Sequence, residues 1–321
     1  MSLRVAGLVI AVVVGIASWV LTCAAWQFDE VASGVIPLDP RDFERLTLVT
    51  VGTAGAAEDH NRRGTAIAVG RGERVVLVDA GRGVAEGLRQ AKISVSQPEA
   101  VLLTSLLPEN TVGLDDLLAA AWLAGRREPL GLVGPPGTAA LAEAIAASVA
   151  PGVVARATAL GDDPTPPVFR AEEVGDGWEG SFGEIAARAG ALPGGPLPAF
   201  AWRLESKGRS AVVGGTGWGG EALESFARGA QILVHDAAFV PTPEEARELG
   251  IEEDPARLEA EAALHTHLDE VGAVARRAGV GALVLVRLRP PPVYDLQVTM
   301  RVDDAFEGRI AIAHDGDEFT P

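Results

Sequence analysis

The amino-acid sequence predicts an α/β fold in which mixed β-sheets are covered on their outer faces by helices. Short apolar runs bounded by glycine, such as residues 64–70 and 74–81, are typical of buried strands. Alanine-rich segments at 115–125 and 138–149 indicate helices. Strands and helices occur in clusters and do not alternate strictly along the chain. This order favours mixed sheets over a series of parallel βαβ units.

The remaining elements follow the same two patterns. Further strands are predicted, in chain order, at residues 45–52, 101–105, 168–174, 199–206, 210–215, 231–239, 281–288 and 309–314. A helix is predicted at 221–228, and another begins at Leu268, because apolar residues recur on one face of the segment that follows. The segment 241–263, rich in Glu, Pro and Ala, is predicted to be an exposed helical insertion.

The N-terminal segment from residue 5 to 26 contains no charged residue. As a helix it would span roughly 33 Å, enough to cross the hydrocarbon core of a bilayer. Arg4 precedes it and acidic residues follow it, a bias that places the N-terminus in the cytoplasm. We therefore predict a membrane anchor at 1–28, a linker at 29–45 and an extracytoplasmic body at 46–321. The alternative is a signal peptide whose cleavage yields a secreted protein.

The overall composition excludes several classes of protein. Hydrophobic residues make up 48% of the 321 residues, so the chain is not disordered. A single cysteine, Cys23, excludes an internal disulfide. The formal net charge is −17 and no basic cluster is present. We therefore expect no nucleic-acid partner and no binding to anionic lipid head groups.

Several sequence segments, in their order and spacing, match one family. The early segments are "TVGTAG", "RRGTAIAV", "VVLVDAGRGV" and "GLDDLLAAAWLAGRREPLGLVGPPGT". The later segments are "PLPAFAWRLESKGRSAVVGGTG", "ARGAQILVHDAAF" and "HTHLDEVGAVARRAG". From Leu46 to Phe319 the chain resembles the metallo-β-lactamase superfamily, in its ribonuclease Z and arylsulfatase-like branch. The resemblance implies an αββα sandwich of two mixed sheets and a hydrolase that uses two zinc ions.

The zinc ligands that the resemblance implies have been replaced in this sequence. Family members hold zinc with a His-x-His-x-Asp-His run, a His before a Pro-x-Pro segment, an Asp in a Gly-Asp-Thr turn and a His ending a late strand. These positions carry Ser105, Leu107, Glu109, Asn110, Gly194, Gly215 and Arg287. Only Glu109 is a good metal ligand. Because zinc lowers the pKa of bound water to about 7, the family's nucleophile would not form without it. We therefore expect no zinc cofactor.

Other polar residues carry weaker signals. By resemblance, His265 lies where the branch has a histidine that assists proton transfer, but a helix-capping or structural role is predicted here. His267 forms a His-x-His pair with it, which is a weak metal signal. Asp79, at a glycine turn after a core strand, is predicted to be structural. The predicted places of the other histidines are the core for His235 and loops for His60 and His314.

Two further expectations concern the site. A serine hydrolase is disfavoured: Gly-x-Ser-x-Gly is absent, and a buried or capping Ser105 is favoured over a Ser105–His265 pair. Arg287 ends a strand of core-like residues, and a buried cation needs a partner. We therefore predict a salt bridge from Arg287 to Asp79 or Glu109.

The sequence as a whole predicts a pseudoenzyme with a binding or scaffolding role. Its partner would be an unidentified protein or small molecule, with the membrane contacted through the N-terminal helix. The alternative is a hydrolase of phosphodiesters or esters with a rebuilt site, which would use Glu109, His265, His267 and Arg287.

Overall fold

The computed structural model of the protein describes residues 12–27, 37–56, 59, 61–195, 197–215, 217, 220–248, 250, 252, 254–290, 294–303 and 305–321. The chain divides into two compact units, Met1–Asp39 and Pro40–Pro321. In the first unit, helix α1 (Val12–Gln27) exposes nearly all of its side chains. Of the predicted anchor at 1–28, residues 1–11 and 28 lie outside the described residues.

The first sheet of the second unit is mixed and, in the described part of the chain, has seven strands. Its strands are β1 (Phe43–Gly52), β2 (Ala66–Gly72), β3 (Arg74–Val78), β4 (Pro98–Leu102), β5 (Leu130–Gly134), β6 (Phe169–Glu173) and β14 (Glu318–Phe319). They lie in the order β14-β1-β2-β3-β4-β5-β6. Strands β14, β1, β2 and β3 pair antiparallel, whereas β3, β4, β5 and β6 pair in parallel.

Seven strands also form the second sheet among the residues that the structure describes, with the same division between antiparallel and parallel halves. Its strands are β7 (Glu179–Phe182), β8 (Ile185–Leu192), β9 (Ala199–Ser206), β10 (Arg209–Val213), β11 (Ile232–Ala238), β12 (Ala282–Arg289) and β13 (Arg309–Ile312). They lie in the order β13-β12-β11-β10-β9-β8-β7. Strands β7 to β10 pair antiparallel and β10 to β13 in parallel.

Helices cover the outer face of each sheet. They are α2 (Val84–Gln90), α3 (Pro108–Thr111), α4 (Leu114–Leu123), α5 (Thr138–Leu160), α6 (Glu221–Ala227), α7 (Pro243–Glu248), α8 (Pro255–Ala262), α9 (Leu268–Ala278) and α10 (Asp295–Asp303). Leu88 and Leu117 belong to the core over the first sheet, and Leu223 and Val271 to the core over the second. The inner faces pack together around Trp202. These layers form the predicted αββα sandwich.

Burial explains the composition of the strands. Strand β11 is buried at every residue, because helices cover one of its faces and the other sheet covers the opposite face. Strand β8 alternates instead between buried and exposed side chains over residues 185–189. Ile185, Ala187 and Ala189 therefore face the inner core, and Arg188 faces solvent.

Two segments differ from their predicted form. The segment predicted as an exposed insertion forms α7 and α8, whose Ala246 and Leu258 are buried in a small core with Val240. Helix α5 extends beyond its predicted end through Pro151, because Val153 and Ala157 are buried against Trp122 of α4. Within the described residues, α5 is also the one helix long and apolar enough to cross a membrane, and it belongs to the folded body.

Candidate functional site

The candidate site lies where the ends of several strands meet at one edge of the sandwich. Asp79 directly follows β3, and Thr104 follows β4 after one further residue. Gly214 directly follows β10, and Arg287 lies near the end of β12. Because these strands belong to both sheets, contacts among the four residues connect one sheet to the other.

A buried ion pair occupies the centre of this edge. The Arg287 guanidinium donates to the Asp79 carboxylate, and the two side chains are 2% and 0% exposed. The same guanidinium lies 3.3 Å from Asn110 Oδ1 and 3.4 Å from the carbonyl oxygen of Gly214. The predicted salt bridge is confirmed with Asp79 as the partner. Glu109, the other candidate, instead lines a neighbouring cavity.

The Asp79 carboxylate has further partners. It accepts a hydrogen bond from the backbone N–H of Thr104 at 2.7 Å and from the Thr104 hydroxyl at 2.8 Å. Asn110 Nδ2 in turn donates to the Thr104 hydroxyl at 3.1 Å. Burial raises the pKa of Asp79 to about 6, although the attraction of Arg287 and these hydrogen bonds oppose the rise. The Arg287 guanidinium and these hydrogen bonds hold the Asp79 side chain in place, and the structural role expected for Asp79 stays a prediction.

The backbone is unusual at both partners of the ion pair. Asp79 has φ of 61° and Arg287 has φ of 52°, in the left-handed region that few residues other than glycine adopt. The backbone N–H of Arg287 donates to the carbonyl of Thr53 at 2.8 Å, which holds this conformation. Residues in this region cost roughly 1–3 kcal/mol each and persist where the surroundings impose them.

The residues at the former ligand positions do not fit a pair of zinc ions. Ser105 is buried, and its hydroxyl oxygen accepts hydrogen bonds from Asn110 Nδ2 at 2.8 Å and from the Leu107 N–H at 3.3 Å. Arg287, at the position that the resemblance assigns to the last histidine, is a cation whose side chain is 2% exposed and paired with Asp79. Within the described ranges, no three His, Cys, Asp or Glu side chains converge on one point. Serine, leucine and glycine offer zinc no ligand of the kind that it prefers.

Gly215, at the position of the bridging aspartate, has no room for a side chain. A Cβ atom there would lie 2.8 Å from Thr104 Cβ and 3.2 Å from the carbonyl oxygen of Phe200. Thr104 cannot move away easily, because it binds Asp79 with both its N–H and its hydroxyl. The hydrogen bonds that hold Asp79 therefore also exclude the family's bridging ligand.

This packing predicts the effect of a small substitution. Gly215→Ala is expected to lower the free energy of unfolding by about 1–3 kcal/mol, as overpacking of a core does. The control is Gly152→Ala in α5, where nothing lies within 4 Å of an added Cβ. That change should be neutral or stabilising by up to about 1 kcal/mol. Urea denaturation measures both, and equal stability of the two variants would show that the contact with Thr104 is unimportant.

A cavity of about 170 Å³ lies beside the ion pair. Its walls are Ala56, Ser105, Leu107, Glu109, Gly194, Gly195, Leu197, Ala199, Gly217, Ala263, Leu264, His265 and Arg289. Five of the predicted site residues are thus brought together: Ser105, Leu107, Glu109, Gly194 and His265. Arg287, Asn110, Gly215 and Asp79 are not part of this wall.

Asp236 is a site residue that the sequence reasoning missed. Its Oδ2 lies 3.4 Å from Nδ1 of His265, while its Oδ1 is buried without a hydrogen-bond partner in the described part of the chain. His235 is fully buried, as predicted; its Nε2 lies 2.8 Å from the Thr266 hydroxyl, and burial lowers the pKa of its imidazole. An acidic residue at the end of the apolar run "ILVHD" was the available signal for Asp236.

The other histidines are placed as follows. His265 is not a helix cap, because the residue preceding α9 is His267, whose Nδ1 accepts the N–H of Asp269 at 3.4 Å. His267 therefore caps α9, and of the two roles expected for His265, helix cap or structural residue, the structural one stays a prediction. His267 is also absent from the cavity wall. His314 is exposed in a loop, as predicted, and His60 lies outside the described residues.

Comparison with solved structures identifies the class of the fold. The chain is similar to the metallo-β-lactamase fold protein YhfI from Bacillus subtilis, with a TM-score of 0.66 and 16% identity over 86% of this chain and 99% of that one. It is also similar to the short form of human tRNase Z, with a TM-score of 0.61 and 16% identity over 85% and 98% of the two chains. The sandwich is therefore a metallo-β-lactamase fold.

Sequence relatives identify the family within that class. Ribonuclease Z of Mycolicibacterium gilvum is 31% identical over 250 residues, which cover 76% of this chain and 85% of the relative. Ribonuclease Z of Mycobacterium bovis is 29% identical over 278 residues, which cover 84% and 96%. The chain belongs to the ribonuclease Z-like branch of the metallo-β-lactamase superfamily. No protein-family model matches it.

The expectation that excluded a nucleic-acid partner is wrong for a chain of this family. Its relatives are named ribonuclease Z, and tRNase Z has the same fold. The net charge of −17 is a sum over the whole chain. Binding of phosphate depends instead on the electrostatic potential at one part of the surface. The net charge of the whole chain does not give that local potential.

Proposed function

We propose that this protein is a binding member of the ribonuclease Z-like branch that does not hydrolyse phosphodiesters through a zinc pair. The observation that supports the proposal best is the buried Arg287–Asp79 ion pair beside the former ligand positions. At an effective dielectric of about 20, two unit charges 4 Å apart interact by about 4 kcal/mol. A guanidinium beside two dications would therefore be strongly repelled, since it keeps its charge at any ordinary pH.

The replaced ligands lead to the same proposal. The family's chemistry depends on zinc-bound water, whose pKa is near 7, far below the pKa of free water. Ser105, Leu107 and Gly215 supply no metal ligand of the kind that zinc prefers, so these positions would not hold the zinc that makes that nucleophile. The cavity beside the ion pair remains, and this cavity is the proposed binding site.

A hydrolase with a rebuilt site is the second candidate, and one observation favours it. Glu109 and His265 line the same cavity, and Asp236 lies 3.4 Å from the His265 ring, as a residue that orients a general base does. Two members of the predicted rebuilt site do not support it, because Arg287 binds Asp79 and His267 caps α9.

Metal content and turnover together separate the two candidates. Protein purified from zinc-supplemented medium is expected to hold far less than one zinc per chain, and to leave bis(p-nitrophenyl) phosphate and a tRNA precursor uncleaved when Zn²⁺ or Mn²⁺ is added. Binding of the same tRNA precursor is measured in parallel, because the names of the relatives make RNA a ligand to test. Stoichiometric zinc, with turnover abolished by His265→Ala, would support the hydrolase instead.

We also propose that α1 belongs to a membrane anchor, as its apolar sequence suggests. The full-length protein is expected to stay with membranes during carbonate extraction. A variant with Ile16→Arg and Val20→Arg is the control, since two charges near the centre of a span oppose insertion. Release of the unsubstituted protein into the supernatant would contradict the anchor.

A further inference from the structure

We propose that the cavity beside Ser105 binds a small organic amine, with the ammonium group on Glu109 and an apolar substituent against the leucines of the wall. This inference rests on the proposed function, since a zinc pair at the same edge would reverse the charge of the site. The ligand class follows from the apolar wall, the balance of charge and the supply of hydrogen-bond acceptors.

The apolar part of the wall fits a hydrocarbon group. Leu107, Leu197 and Leu264 line the cavity, and Leu197 and Leu264 are 41% and 44% exposed although they are large apolar side chains. A ligand that covers them removes apolar surface from water, which favours binding. The volume of about 170 Å³ is below the 300–1,000 Å³ typical of drug-sized ligands, so the occupant is a small molecule.

The charge beside the cavity favours a cation. Asp79 neutralises the positive charge of Arg287, so that charge does not attract an anion into the cavity. Glu109 lines the cavity, and no hydrogen bond or ion pair of its carboxylate is found among the described residues. Arg289, the other charged residue of the wall, makes an interaction of its own within the protein. The carboxylate of Glu109 is thus the charge of this wall for which the described residues supply no partner.

His265 adds a hydrogen-bond acceptor to the same wall. Its Nδ1 lies 3.4 Å from the Asp236 carboxylate, which can only accept, so Nδ1 carries the hydrogen. In the neutral imidazole, Nε2 then has a lone pair, and it has no partner among the described residues. A carboxylate and an imidazole nitrogen call for a ligand that donates hydrogen bonds, and an ammonium group has three N–H donors.

The test compares three ligands of the same shape. Benzylamine, benzyl alcohol and benzoate are titrated into the full-length protein in the presence of a chelator, and binding is followed by calorimetry. Benzylamine is expected to bind at least about tenfold more tightly than the alcohol, with benzoate weaker still. Glu109→Gln should weaken benzylamine binding about tenfold or more, whereas Glu143→Gln, a control on the exposed face of α5, should leave it unchanged.

The outcomes are separate from those of the proposed function. Equal binding of amine and alcohol, tighter binding of benzoate, or unchanged amine binding in Glu109→Gln would each overturn the amine site. The comparison of the three ligands on the unsubstituted protein remains a valid test even if the Glu109→Gln variant fails to fold. Stoichiometric zinc in the purified protein would overturn the proposed function. If the protein is free of zinc but does not bind benzylamine, the amine site alone is overturned.

Discussion

Arg287→Ala is expected to destabilise the folded body by about 3–5 kcal/mol, the range for removal of one partner of a buried ion pair. The substitution would leave Asp79, which is fully buried, without the guanidinium that neutralises it. It would also remove the donor that reaches Asn110 and the Gly214 carbonyl. Urea denaturation, followed by circular dichroism, measures the loss.

The matched control is an arginine in an ion pair at the surface. Arg277 lies 2.6 Å from Glu224, but its side chain is 51% exposed, so Arg277→Ala should cost less than about 1 kcal/mol. The double variant Asp79→Asn, Arg287→Met should recover part of the loss, because neither substituted side chain carries a charge. A cost for Arg287→Ala as small as that of Arg277→Ala would show that the pair does not hold the two sheets.

Arg287→His is expected not to restore zinc binding, although it returns the family's residue at one ligand position. Ser105, Leu107 and Gly194 still supply no ligands, and the contact of Gly215 with Thr104 leaves no space for the bridging aspartate. The variant should also be less stable, since a histidine is too short to replace all the contacts of the arginine.

Calorimetric titration with Zn²⁺ tests this expectation. The unsubstituted protein and Arg287→His should both show at most weak, non-stoichiometric heats. The control titration uses His265→Ala in the same background, so that any heat from exposed histidines is recognised. A stoichiometric, tight zinc isotherm for Arg287→His would show that the metal position had been assigned to the wrong residues.

The layers of the fold could be predicted from sequence because local patterns carry that information. Apolar runs bounded by glycine predicted β2 and β3, and the apolar face after Leu268 predicted α9. The end of α5 could not be predicted, because a proline such as the one at 151 normally ends a helix, whereas the burial of Val153 and Ala157 against Trp122 depends on another helix. The burial of Leu258 likewise depends on residues distant in the chain.

The candidate site, too, could be predicted only in part. The partner of Arg287 could be narrowed to Asp79 or Glu109, because a buried cation requires an acid and few acids follow core strands. The connection of Thr104 to both Asp79 and Asn110 could not, since it depends on how two strand ends face each other. Asp236 was missed because its neighbour in the site, His265, is 29 positions away and separated from it by two helices.

The ion pair also has a consequence for the order in which the chain folds. Asp79 and Arg287 are 208 residues apart, and each follows or ends a strand of a different sheet. Contacts between residues so far apart in sequence form after local contacts, because closing the long loop between them costs conformational entropy that other contacts must first offset. We therefore expect Arg287→Ala to leave the refolding rate nearly unchanged and to accelerate unfolding, with a φ-value near zero. The guanidinium would then act chiefly on the lifetime of the folded protein, by delaying the separation of its two sheets.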